Sequence, residues 1–150
     1  MAPSLALTPR GIASAVGSSA ATMTTLLVID DNAFARDVLQ TILEKRGYAV
    51  LLAESGEAGL TLAETRHVDA AIVDVFMPGM DGFAACGNLQ AIARPRGRRL
   101  PVWLITGSYS ADVEARGFEA GALDVLRKPI NFPDLFRRLE EECGKGVPIG

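Results

Sequence analysis

The sequence predicts an α/β fold: a doubly wound, five-stranded parallel sheet covered by helices on both faces. Two features point there. Short apolar runs such as residues 26–29 (LLVI) and 70–73 (AAIV) show no alternation with polar residues, as expected of strands buried on both faces. Between such runs lie longer stretches with apolar residues at helical spacing, so strands and helices alternate along the chain.

The elements follow in order. Residues 26–29 read as a strand that stops at two acids, Asp30 and Asp31. Residues 32–46 place Phe34, Val38, Leu39, Ile42 and Leu43 on one helical face, with Asp31 or Asn32 as the cap and Gly47 as the stop. Residues 48–53 form a second strand, and 56–66 a helix carried by Ala58, Leu60, Leu62 and Ala63. The third strand, 70–73, ends in Asp74. Residues 77–82 (MPGMDG) are turn chemistry, and a helix runs from there to Arg94. Arg94, Arg96, Arg98 and Arg99, with Pro95 and Gly97, form a basic loop read as a solvated connection. Residues 100–105 are strand four, 111–120 a short helix and 123–126 strand five. The last helix, 131–143, spaces Phe132, Leu135, Phe136 and Leu139 as its buried face.

A chain of 150 residues, 49% hydrophobic and 22% charged, has room for one domain with a real core. Residues 24–145 are assigned to it, with 1–23 as a disordered tail and 146–150 as a short C-terminal tail. Arg10 is the sole charge in the first 22 residues, and Pro3, Pro9, Gly11 and Gly17 break the compact apolar stretch a signal peptide needs. That segment reads as a tail or as an over-extended start ahead of Met23. No run reaches the ~20 apolar residues of a membrane span, so a cytoplasmic setting without membrane contact is expected. A net charge of −3 supplies no bulk attraction to nucleic acid. Cys86 and Cys143 lack metal-ligand spacing and read as reduced bystander thiols. His67 reads as a surface residue.

In such a sheet the functional crevice lies beyond the carboxyl ends of the strands. Strand one delivers Asp30 and Asp31 there, strand three Asp74, strand four Thr106 and Gly107, and strand five Lys128 followed by Pro129. Carboxylates brought together repel unless a cation sits among them. Mg²⁺ suits a few carboxylates plus water and phosphate oxygens. Lys128 can hold a phosphoryl oxygen as a point charge, and an Asp can act as nucleophile. Singly, Asp30 and Asp31 are also helix caps, Thr106 a strand-end hydroxyl and Lys128 a solvated charge. Their arrival together at matching strand ends favours a metal-assisted phosphoryl-acceptor site.

At this point LLVIDD, IVDVFMPGMDG, WLITGS and RKP resemble, in order, the four signatures of the response-regulator receiver family. The resemblance covers residues 26–143. It implies a flavodoxin-like (βα)5 fold with strand order 2-1-3-4-5, and Asp74 as phospho-acceptor. It further implies Asp31 as chief Mg²⁺ ligand, Asp30 as a ligand through water, and the Phe76 carbonyl as part of the metal shell. Thr106 is similar to the hydroxyl that bonds the phosphoryl group, and Lys128 to the phosphate-contacting lysine, with a cis Lys128-Pro129 peptide.

Two positions depart from the family. Val125 stands where receivers usually carry a Tyr or Phe that rotates inward. Tyr109, three residues after Thr106, reads as an exposed loop aromatic. Phe76, which with Ser108 should sit over the phosphoryl group, is apolar and should limit water.

The resemblance implies a stand-alone signalling module rather than an enzyme. Its donor would be a histidine kinase or histidine phosphotransfer protein, and its output a downstream protein or a phosphorelay, with no direct contact to nucleic acid. The competing reading is a Mg²⁺-dependent aspartyl phosphohydrolase. Such enzymes usually carry an acid/base Asp where Phe76 stands.

Overall fold

The computed structural model describes residues 23–144; the two expected tails, apart from Met23, lie outside the described residues. Thr25–Ile29 (β1), Ala33–Lys45 (α1), Ala49–Ala53 (β2), Gly56–Thr65 (α2) and Ala70–Asp74 (β3) open the fold. Gly82–Ala93 (α3), Val102–Thr106 (β4), Ala111–Ala120 (α4), Asp124–Arg127 (β5) and Phe132–Cys143 (α5) complete it. The strands pair in parallel in the order β2-β1-β3-β4-β5, which is the 2-1-3-4-5 order expected. Among the described residues no helix is long and apolar enough to cross a membrane.

The sheet divides the apolar interior in two. Leu27, Ile29, Ala71, Val73 and Leu104 face a core closed by α2, α3 and α4. Leu26, Val28, Ile72, Trp103 and Ile105 face a second core holding Leu39 and Leu43 of α1 and Leu135 and Leu139 of α5. Strand residues alternate between the two, which is why the runs look uniformly apolar.

Each α-helix starts on a side-chain cap. Asn32, Ser55, Asp81, Ser110 and Asn131 each accept the backbone N–H three residues on, satisfying one of the open donors of the first turn. Of the two caps considered for α1, Asn32 is the one used.

Four local expectations change. Phe34 is 77% exposed rather than part of the buried face of α1. On α2 the buried residues are Gly56, Gly59 and Ala63, with Leu60 and Leu62 only partly covered. There a Cβ on Gly59 would run into Ile29 Cδ1, so a small residue lets the helix seat directly on β1. Strand four begins at Val102 rather than Leu100, since Pro101 has no N–H to give the ladder. The basic loop is also more than a solvated connection. It forms a 3-10 turn over Arg94–Arg96, closed by Gly97 at φ 70°. Arg96 donates to the carbonyls of Ala63 and Glu64 at 3.3 and 3.2 Å, and Arg98 to Val68 O at 2.8 Å. Two of its four arginines therefore fasten the loop to the carboxyl end of α2 and the segment after it.

His67 is exposed and pairs with Asp69 at 2.7 Å. Both thiols are unbridged, and burial pushes each up to about 11, so neither is a thiolate near neutrality.

Candidate functional site

The carboxyl ends of β1, β3, β4 and β5 meet as the register requires: Ile29 pairs with Val73, Asp74 with Ile105 and Thr106 with Arg127. Asp30 follows β1 directly and is fully buried. Its N–H donates to Ala53 O at 3.1 Å, and its Oδ1 accepts the Asn32 N–H at 2.9 Å. Asp31 beside it is exposed. Asp74, the last residue of β3, is 6% exposed. One oxygen from each of Asp30, Asp31 and Asp74 lies within 4.8 Å of the other two.

Lys128 Nζ reaches over this group, 3.2 Å from Asp74 Oδ1 and 3.6 Å from Asp30 Oδ2. The Lys128-Pro129 bond is cis, as the family pattern implied, and Lys128 N donates to Thr106 O at 2.8 Å. Thr106 is buried, and its hydroxyl accepts the Ser108 N–H at 2.9 Å, leaving its own proton free to be donated. Phe76 follows Asp74 by two residues and is 51% exposed.

The electrostatics are unbalanced. Three carboxylates against one ammonium leave two negative charges. Burial first, and the Asp30 carboxylate second, hold Asp74 above the usual carboxylate range, although Lys128 pulls it down. Burial opposes the Lys128 charge, but Asp74 and Asp30 outweigh it and hold the ammonium above the ordinary lysine value. Asp30 Oδ2 is buried and has no hydrogen-bond partner among the described residues. An unsatisfied buried carboxylate oxygen is costly. These features suit a hard divalent cation, which would neutralise the excess charge and take up that oxygen.

Two contributors escaped the sequence reading. Arg36, on the first turns of α1, donates to the backbone carbonyl of Asp30 at 2.7 Å and holds the β1–α1 junction. Gly82 donates its N–H to Val75 O at 2.7 Å, and a Cβ there would collide with Asp74 O and lie 2.7 Å from Val75 Cα. Its place in the MPGMDG turn was visible, but the closeness of the β3 backbone was not.

Val125 and Tyr109 also resolve. Val125 is 5% exposed, and a Cβ on Gly117 would lie 2.5 Å from its Cγ2. Helix α4 thus comes down onto the small side chain, leaving no room for a ring. Tyr109 is not a free loop aromatic: the Arg127 guanidinium sits 4.1 Å from its ring centroid, and its hydroxyl bonds Glu114.

The comparisons with known proteins agree with this geometry. A profile of the response regulator receiver domain matches residues 26–140. The chain is 36% identical over 123 residues to the response regulator MprA of Mycolicibacterium vanbaalenii, covering 82% of this chain and 52% of that protein. It is 35% identical over 123 residues to the sensor histidine kinase AruS of Pseudomonas aeruginosa, covering 82% of this chain and 12% of that protein. The chain therefore spans about half, or far less, of these relatives. Among solved structures, the chemotaxis protein CheY4 of Vibrio cholerae superposes with a TM-score of 0.74 at 28% identity, covering 81% of this chain and 99% of the other.

Proposed function

The chain belongs to the response regulator receiver family, and from that premise we propose that it accepts a phosphoryl group on Asp74 and signals as a single-domain regulator. The convergence of Asp30, Asp31 and Asp74 under the Lys128 ammonium carries this reading. In the reaction, an Asp74 carboxylate oxygen attacks the phosphorus of a phosphohistidine donor. The N–P bond breaks, its electron pair leaves with the imidazole, and an acyl phosphate remains. Lys128 holds one phosphoryl oxygen by charge, and the Thr106 hydroxyl donates to another. Asp30, Asp31 and Asp74, with the Phe76 carbonyl, would hold Mg²⁺, and its charge would offset that of the phosphoryl oxygens. An aspartyl phosphohydrolase is disfavoured because the half-exposed Phe76 ring can move no proton.

The donor is proposed to be a histidine kinase or phosphotransfer protein, and the output another protein or a relay, in a cytoplasmic setting. An apolar groove of about 300 Å³ supports a protein donor. It is lined by Phe34, Val38, Pro129 and Phe132, with Asp30 and Lys128 also along it. Exposed Phe34, in one groove with the Lys128 that pairs with Asp74, is what a docking donor would cover. Phe34→Ser is expected to slow phosphorylation by a protein donor at least tenfold while leaving the rate with acetyl phosphate unchanged. A profile against purified histidine kinases and phosphotransfer proteins reads the first rate, and intact mass the second. Equal slowing with both donors would refute the docking role.

Metal binding separates the three acids. Asp30→Asn should weaken Mg²⁺ about tenfold, as a partner acting through water does, and Asp31→Asn and Asp74→Asn should weaken it more. NMR titration of Mg²⁺ into each Asp→Asn variant reads these affinities. Wild-type affinity in Asp31→Asn would overturn the ligand set.

Phe76 should lengthen the life of the acyl phosphate by limiting water. Decay is expected to speed up in both Phe76→Ala and Phe76→Asn. A tenfold change needs only ~1.4 kcal/mol of barrier. If Asn alone accelerates decay, the position orients water rather than excluding it.

A further inference from the structure

We propose that the cleft between the carboxyl ends of α3 and α4, at the opposite end of the domain from Asp74, is a docking site for an acidic peptide segment of a partner protein. The cleft has a volume of about 460 Å³ and is lined by Arg94, Arg98, Arg99, Gln90, Glu119 and Gly121. Three arginines and one glutamate line it, in a chain whose net charge is −3.

The arginines divide by role. Arg98 is committed to Val68 O, as Arg96 is to α2. Arg94 and Arg99 are exposed, and neither guanidinium has a hydrogen bond, ion pair or ring partner among the described residues. The carboxyl ends of α3 and α4 favour cations at this cleft by their dipoles, but give neither Arg94 nor Arg99 a hydrogen-bonding partner. The backbone that carries them is held in place. Pro95 and Gly97 shape the turn, Arg96 and Arg98 fasten it, and the Gln90 amide ties α3 to Leu100 O, Leu100 N and Gly121 O at 2.6, 3.1 and 3.3 Å. With the backbone fixed, the ordering cost of taking a carboxylate bidentately is confined to the two side chains.

The acceptor groups around the cleft select the kind of anion. Both helices present carbonyl ends here rather than N–H groups, and Glu119 adds a carboxylate. A free phosphate offers mainly acceptors and a concentrated negative charge, so these groups disfavour it. A peptide offers carboxylates to Arg94 and Arg99 and backbone N–H donors to Glu119. An extended acidic segment therefore satisfies both sets of groups at once.

The test is an NMR titration of the full ¹⁵N-labelled chain with a capped oligoglutamate peptide at low salt. Shifts are expected to cluster at the amides of Gly87, Gly97 and Gly121, and to fade as salt shortens the reach of the charges. Arg94→Gln combined with Arg99→Gln should weaken binding at least tenfold. Arg116→Gln, which removes a guanidinium stacked on Phe83, should leave it unchanged. The proposal is overturned if the double variant binds as wild type does. It is equally overturned if inorganic phosphate moves the same amides as strongly, or if millimolar peptide moves none of them. None of these outcomes bears on Asp74, which lies at the other end of the sheet.

Discussion

Asp74→Asn is expected to abolish the gain of one phosphoryl mass from acetyl phosphate and Mg²⁺, while raising the melting temperature of the metal-free protein near pH 7. The first effect follows from the loss of the only carboxylate that closes β3 and touches Lys128. A wild-type yield of phosphorylated variant by intact mass would remove Asp74 as the acceptor. The second follows from the direction of its titration. Burial and Asp30 hold the folded-state value above the usual range, so the folded protein binds that proton more tightly than the unfolded chain does. Its charged form is then a penalty that is fully present above the folded value and disappears below the unfolded one, about 3.9. The stabilisation by Asn should therefore be seen at neutral pH and vanish as the buffer is taken below about pH 4. Saturating Mg²⁺ should stabilise the wild type and leave the variant nearly unmoved.

Gly82→Ala should cost about 3 kcal/mol or more, lowering the melting temperature by roughly 10 °C. The new Cβ meets backbone atoms of Asp74 and Val75, and no flexible side chain is present to give way. The first turn of α3 would have to lift off β3, moving the acceptor carboxylate with it, so phosphorylation of the surviving folded fraction should slow as well. Gly87, one and a half turns later in the same helix, has nothing within 4 Å of its would-be Cβ. Gly87→Ala should instead stabilise by about 0.5–1 kcal/mol through helix propensity. Thermal melts of the pair test a difference in sign. Equal effects would mean that contact with the β3 backbone does not decide the outcome.

The order of elements, the sheet's parallel direction and the residues of the acidic site were legible because they depend on local pattern. A run such as AAIVD says both that a strand is buried on two faces and what it delivers at its end. Asp30, Asp31, Asp74 and Lys128 could be brought together on paper once the strands were known to be parallel. What stayed hidden depends on how closely elements approach. The helical period puts Phe34 on the same side as Val38, but does not say that α1 ends its contact with the sheet before reaching it. Gly59, Gly82 and Gly117 look like weak points in their helices, and only the packed structure shows the backbone or side chain each one admits. The arginines at 94–99 read as one charged run, although Arg96 and Arg98 point back to carbonyls about 30 residues earlier. No local signal distinguishes them from Arg94 and Arg99.

The division of the interior by the sheet has a consequence for engineering. Since Leu43 and Leu139 belong to one buried cluster and Leu89 and Val113 to the other, perturbations on the two sides should combine nearly additively. The α1/α5 layer can then be redesigned as a fresh recognition surface without retuning the layer of α2, α3 and α4. The reactive rim would hold still as long as Asn32 and Arg36, which fasten Asp30, are kept.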